Sequence, residues 1–170
     1  MGPRTDIEHK ARAPRSVRCF VLTVSDTRTE DTDASGRAIA ALLTAAGHVV
    51  AGRAIVKDDA DLVHNAVERQ LASPDVDAII TTGGTGITSR DSTYEVVSAL
   101  LQKRLDGFGE LFRMLSFEHI GPAAMMSRAC AGLASGRIVI ALPGSENAVR
   151  LAMERLVIPE LGHLVQQASR

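Results

Sequence analysis

The stretch from Ala78 to Glu95, AIITTGGTGITSRDSTYE, leaves few folds open to this chain. Ala78-Ile79-Ile80 reads as a buried strand, Thr81 to Gly86 as a glycine loop, and Arg90-Asp91-Ser92-Thr93 as the acid-bearing start of a helix. Glycine adopts positive φ and lets backbone approach a ligand closely. Gly83, Gly84 and Gly86 among the hydroxyls of Thr82 and Thr85 therefore make a cradle of donors suited to phosphate. The helix that follows directs its positive end to the same point. The loop has neither the GxGxxG spacing of dinucleotide folds nor the terminal Lys-Ser/Thr of a P-loop, so some other phosphate chemistry is implied. A tight strand-to-helix turn is the plainer reading of the same residues.

Around this stretch the chain alternates strand and helix. Val17 to Val24 is apolar and β-branched, as in a strand covered on both faces, and Ser25-Asp26 closes it. Thr27 to Ala34 reads as a polar loop; Ser35-Gly36 then opens a helix through Ile39, Leu42, Leu43 and Ala46, capped by Gly47. A second strand runs from His48 to Lys57, ends at Asp58-Asp59, and leads into a helix from Ala60 to Ala72. Ser92 and Glu95 have the spacing of a capping box for a helix through Leu101. From Gly107 to Glu118, Phe108, Leu111, Phe112 and Leu115 share a helical stripe that suits a core face or a subunit contact. Ala123 to Ala131 reads as a small-residue helix and Gly132 to Gly136 as a turn. A strand from Ile138 to Leu142 ends in Pro143-Gly144-Ser145, followed by helices through Leu156 and from Pro159.

This order predicts one α/β domain over residues 17–170, a mostly parallel sheet with helices on both faces, behind a mobile, proline- and charge-rich tail at residues 1–16. The carboxyl ends of the strands in such a sheet share one edge, where ligands bind. Ser25-Asp26, Asp58-Asp59, Thr82 to Asp91 and Pro143-Gly144-Ser145 are thereby gathered into one cleft. Acids beside a phosphate cradle conflict, since carboxylates about 4 Å apart repel by about 4 kcal/mol at an effective dielectric of about 20. A divalent cation resolves the conflict: Mg²⁺ is held by carboxylates together with substrate phosphates. Each acid also stands where a helix cap belongs, but their convergence favours Asp58 and Asp91 as cation ligands.

Composition excludes several classes. With 45% hydrophobic and 23% charged residues in 170, the chain supports a buried core, and a net charge of -1 gives no electrostatic footprint for nucleic acid or membrane. The absence of Trp and a single Tyr argue against base stacking. Cys19 and Cys130 lack metal-ligand spacing and read as buried thiols of a reducing cytoplasm. No apolar run is long enough to span a bilayer, and Asp6 occupies the position where a myristoylation motif needs Ser or Thr. Glu160 and His163 have the spacing of a metal pair in one copy only, and His64 and His119 read as surface residues.

TTGGTG with Ser89-Arg90-Asp91-Ser92-Thr93 and Glu95, Ser25-Asp26, Asp33-Ala34-Ser35-Gly36, and Leu142-Pro143-Gly144-Ser145 together resemble the MoaB/Mog family of molybdenum cofactor biosynthesis. GFGELFRMLSFEHIG, from Gly107 to Gly121, is similar to the MoaB branch, as is Pro-Gly-Ser in place of the Pro-Gly-x-Pro of the Mog branch. The resemblance spans Arg18 to Leu161 and implies a three-layer α/β/α fold with Rossmann-like topology, assembled as a homotrimer or a hexamer. It implies adenylylation of molybdopterin by Mg-ATP, with release of pyrophosphate and passage of the product to a metal-insertion enzyme. By motif, Thr82, Gly83, Gly84, Thr85 and Gly86 would hold phosphate, and Asp58 and Asp91 would organise Mg²⁺ and ATP. Pro143, Gly144 and Ser145 would hold the pterin side, and Ser25, Asp26, Ser35 and Gly36 the nucleotide end. Two other readings stay open: a pterin-binding or scaffold protein without catalysis, and a nucleotide pyrophosphatase like the competence-damage proteins that share this domain, whose extra domain is missing here.

Overall fold

In the computed structural model, which describes residues 13–170, the apolar runs form one six-stranded sheet. Residues 1–12 of the expected tail lie outside the described residues. The strands are β1 (Arg18–Val24), β2 (Val49–Val56), β3 (Ala78–Thr82), β4 (Lys103–Arg104), β5 (Cys130–Ala134) and β6 (Arg137–Leu142). Their order across the sheet is β2-β1-β3-β6-β5-β4. The β2-β1, β1-β3 and β3-β6 pairs are parallel, whereas β6-β5 and β5-β4 are antiparallel. The helices are α1 (Ala34–Ala45), α2 (Ala60–Leu71), α3 (Thr93–Leu100), α4 (Asp106–Ile120), α5 (Glu146–Ala152) and α6 (Ile158–Ala168). A 3₁₀ segment, Gly121–Met126, follows α4, and a π-helical turn, Met153–Val157, joins α5 to α6.

Alternate side chains of each strand enter opposite layers. Val21, Ile80 and Ile140 pack with Ile39 and Leu43 of α1, Phe112 of α4, Val149 of α5 and Leu161 of α6. Their neighbours Leu22, Ile79 and Val139 pack on the other face with Val63 and Val67 of α2 and Val97 of α3. Each fully buried Leu or Ile contributes about 1.5–3 kcal/mol by leaving water. The three layers are those expected, and the central parallel strands end along one edge, as the cleft requires.

Four local expectations give way. Residues 123–131 form no α-helix: the 3₁₀ segment ends at Met126 and β5 begins at Cys130. The small residues there serve close strand packing, because a Cβ on Gly132 would run into the carbonyl oxygen of Lys103 in β4. The expected turn over Gly132 to Gly136 shrinks to Ser135 and Gly136, whose φ of 48° and 72° suit a tight antiparallel hairpin. Ser92 precedes α3 but makes no side-chain cap bond, so the capping box is not formed. On α4 the stripe is split: Phe112 and Leu115 are buried while Leu111 is exposed.

The end of the expected tail packs against the last helix. The carbonyl oxygen of Pro14 would lie 2.5 Å from a Cβ placed on Gly162. Among the described residues no helix is long and apolar enough to cross a membrane.

Candidate functional site

The glycine loop leaves β3 at Thr82, which is fully buried and donates its hydroxyl to the carbonyl of Pro143 at 2.9 Å. This bond ties the loop after β3 to the loop after β6. A second one runs from the Gly83 amide to the carbonyl of Leu142 at 3.1 Å. Gly83 and Gly84 have φ of 95° and 65°, a region costly for other residues. The carbonyl of Gly84 accepts the first amide of α3, from Thr93, at 2.9 Å. The amides of Gly84 and Thr85 donate to no acceptor among the described residues.

Both acids singled out by the sequence pack directly on this loop. The Asp58 carboxylate oxygens would lie 2.9 and 3.1 Å from a Cβ on Gly84, and Asp91 Oδ2 would lie 2.5 Å from a Cβ on Gly86. Only hydrogen at these positions lets carboxylate and loop backbone approach so closely. Asp58 Oδ1 accepts from Ser92, from its amide at 3.2 Å and its hydroxyl at 3.0 Å. Asp91 Oδ2 accepts from Thr88, from its hydroxyl at 2.6 Å and its amide at 2.9 Å. The Thr88 hydroxyl is the largest cause holding the Asp91 carboxyl below its usual range; partial burial opposes it, and the amides of Thr88 and Gly86 assist.

Asp26, after β1, bonds to Arg90 Nη2 through Oδ2 at 2.8 Å and accepts the Asp58 amide through Oδ1 at 3.1 Å. Arg90 is the main reason that its carboxyl is held low, and the Asp58 amide adds to it. Ser25 accepts the amides of Thr27 and Arg28 at 3.3 and 3.1 Å, folding the loop after β1 back on itself. Arg28 then reaches the carbonyl of Gly144 at 3.3 Å. The four strand-end segments are thus joined by hydrogen bonds into one rim.

Ser145 caps α5, accepting the Ala148 amide at 3.3 Å, and as a hydroxyl it keeps a proton to donate. Ser35 and Gly36 are buried at the start of α1, under the rim. There the buried Asp33 accepts from Thr23 Oγ1 at 2.8 Å, the Gly36 amide at 2.9 Å and Arg53 at 3.1 Å, while Ser35 Oγ has no partner in the structure. A groove of about 630 Å³ begins where the rim ends; it shares Pro143 and Ser145 and continues along Ser116, His119, Asn147 and Arg150 between α4 and α5.

The sequence reading missed Arg128, which lies in the segment expected to be helical. Its Nε donates to the Thr85 carbonyl at 2.9 Å, its Nη2 to the Gly86 carbonyl, and both terminal nitrogens to Glu95. The guanidinium also lies over the Tyr94 ring, 4.8 Å from its centre. No local pattern marked it, because its partners are distant in the chain. Asp33, quoted in a motif but given no role, is the local N-cap of α1 through the Gly36 amide; only its bonds to Thr23 and Arg53 lay beyond a local pattern.

For a cation, the donor set is of the right kind. Asp58 and Asp91 supply hard oxygens beside free backbone amides, as a Mg²⁺–phosphate pair requires. Among the described residues no group of three or more His, Cys, Asp and Glu forms a metal cage. Glu160 and His163 pair with each other at 3.2 Å on α6.

The family described as a probable molybdopterin binding domain matches residues 20–163. Molybdenum cofactor biosynthesis protein B of Bacillus anthracis is 53% identical over 164 residues, covering 96% of this chain and 97% of that protein. A crystal structure of a molybdenum cofactor biosynthesis protein B superposes with a TM-score of 0.89 at 52% identity, covering 92% of this chain and 98% of the other. The tungsten cofactor synthesizing protein MoaB of Pyrococcus furiosus gives 0.83 at 38% identity, covering 93% and 100%.

Proposed function

Since this chain belongs to the MoaB/Mog family of molybdenum cofactor biosynthesis proteins, we propose that it adenylylates molybdopterin from Mg-ATP. One observation carries the reading: two carboxylates, Asp58 and Asp91, are packed against two glycines of a loop whose Gly84 and Thr85 amides have no acceptor among the described residues. An oxygen of the terminal phosphate of molybdopterin forms a bond to the α-phosphorus of ATP, and the bond from that phosphorus to the bridging oxygen breaks. Pyrophosphate leaves with the bonding electrons. A phosphate monoester with a second pKa of about 6 is already largely dianionic at neutral pH. No side chain has to remove a proton, and catalysis rests on positioning and charge.

In this reading the amides of Gly84 and Thr85 bind phosphate oxygens, with Thr82 and Thr85 stiffening the loop from below. Asp58 and Asp91 would hold Mg²⁺, which supplies neutralisation of phosphate charge when bound. Ser145, donating its hydroxyl proton, and Gly144 orient the pterin side, where the groove opens. Asp26 and Ser25 border the nucleotide end, with Ser35 and Gly36 beneath them. A contact between copies of the chain is the natural use of the outer face of α4 and the 3₁₀ segment. Leu111, Met114, Phe117, Ile120, Met125 and Met126 are all exposed there, and grouped apolar side chains of this kind mark interaction surfaces.

The test is direct. The protein is incubated with molybdopterin, ATP and Mg²⁺, and adenylylated pterin is sought by chromatography with Asp91→Asn run beside it. Product from the wild type alone supports the enzyme. The hydrogen bonds that Asp58 and Asp91 make to Ser92 and Thr88 would equally brace a site that only binds, so a non-catalytic pterin-binding protein is the second reading. Pterin binding with no adenylate from the wild type would select it.

A further inference from the structure

The glycine loop is held from behind by a side chain with no part in the reading above. Three successive loop carbonyls are claimed by protein donors: Gly84 O bonds to the Thr93 amide, while Thr85 O and Gly86 O bond to Arg128. In a trans peptide the N–H points opposite to the C=O of the same unit. Holding these carbonyls therefore fixes the amides of Thr85, Gly86 and Ile87 on the side opposite to their donors. The Gly86 amide faces the Asp91 carboxylate and helps hold its pKa low. The amides of Thr85 and Ile87 have no acceptor among the described residues.

Arg128 is well suited to this task. Its guanidinium is rigid, carries its donors in a fixed fork, and binds two carbonyls and a carboxylate together. Glu95 and Tyr94, from successive positions of α3, hold it from the other side. The fork thus couples the loop to the helix that begins just beyond it. A lysine would keep the charge but not the simultaneous contacts.

We propose that Arg128 is a positioning residue that aims the amides of the glycine loop at the anionic ligand, resting on the reading of this loop as a phosphate cradle. Its contribution is felt in ligand binding, through Thr85 to Ile87, and not through contact with substrate. Arg128→Lys is expected to weaken pyrophosphate binding, measured by calorimetry on the full chain, by roughly tenfold or more through the loss of charge-assisted hydrogen bonds. In the adenylylation assay the same variant should raise KM by a similar factor and lower kcat less. Arg128→Ala should behave more severely and regain affinity when methylguanidinium is added. The backbone amide resonances of residues 85–87 should move in both variants, and Glu95→Gln, which loosens the guanidinium without touching the loop, should move them in part.

The result that overturns the proposal is Arg128→Lys with wild-type pyrophosphate affinity and unmoved 85–87 resonances. Unmoved KM with kcat alone reduced would overturn it as well. Should Arg128→Ala fail to fold, Arg128→Lys and Glu95→Gln carry the test. Failure of the enzyme reading looks different: the wild type then makes no adenylate, while the amide resonances and pyrophosphate affinity still report on Arg128.

Discussion

Asp58 and Ser92 are joined twice, through the Ser92 amide at 3.2 Å and its hydroxyl at 3.0 Å, both to Asp58 Oδ1. These residues stand at the end of β2 and the start of α3, so the pair of hydrogen bonds sets the distance between one candidate cation ligand and the glycine loop. Ser92→Ala removes the hydroxyl and leaves the amide. Urea unfolding should show a loss of about 1 kcal/mol. Adenylate formation should need more Mg²⁺ than in the wild type, since Asp58 loses half of its support. Unchanged Mg²⁺ dependence would separate Asp58 from the cation.

Gly84→Ala should be costly twice over. Its φ of 65° disfavours a side chain by about 1–2 kcal/mol. The new methyl would also collide with Thr93 Oγ1 and stand 2.9 Å from Asp58 Oδ2. Denaturant unfolding and phosphate binding should both suffer. Gly107→Ala is the control: it lies in the first turn of α4 with nothing within 4 Å of an added Cβ, so stability should hold or rise.

Acid should release the strap between Arg18 and Asp77. Asp77 Oδ1 bonds to Arg18 Nη2 at 2.7 Å and Oδ2 to Nε at 3.0 Å, and this side-chain bonding is the main cause holding the Asp77 carboxyl below its usual range, against partial burial. A carboxyl lowered in the folded state contributes stability that is present above the unfolded pKa, about 3.9 for Asp, and is lost as pH falls through the lower folded value. Stability followed by urea unfolding should therefore drop below about pH 4. Asp77→Asn should be less stable at neutral pH and lose part of that slope.

The exposed face of α4 should control assembly. Phe117 and Met114, 59% and 55% exposed, are positioned to meet a second copy. Light scattering should give a mass above that of one chain for the wild type and the single-chain mass for Phe117→Asp. A monomeric wild type at micromolar concentration would assign this face to another partner.

Much of the fold was legible because its signals are local. The β-branched runs of β1, β3 and β6, the helix period of α1 and α2, and the strand-end acids all depend on near neighbours in sequence. β5 was misread because Cys-Ala-Gly-Leu-Ala has no strand preference of its own. It becomes a strand by pairing with β6 and β4, and Gly132 permits the second pairing. The capping box failed because stronger partners claimed both members: Ser92 went to Asp58 and Glu95 to Arg128.

The sequence by itself determined the layered α/β architecture, the strand-end cleft and the glycine loop with Asp58 and Asp91 beside it. Apolar periodicity, glycine and helix-start chemistry act over a few residues and can be read there. Only the tertiary structure decided which acids pack on which glycines, that the Gly86 amide faces Asp91, and that Arg128 grips the loop from behind. Asp58 and Gly84 stand 26 positions apart and Arg128 and Thr85 43, while Gly86 and Asp91 are only five apart but meet through the folded loop. The long-range contacts of Asp58 and Arg128 are chosen by the packing of whole layers, and no short stretch of sequence contains both of their partners.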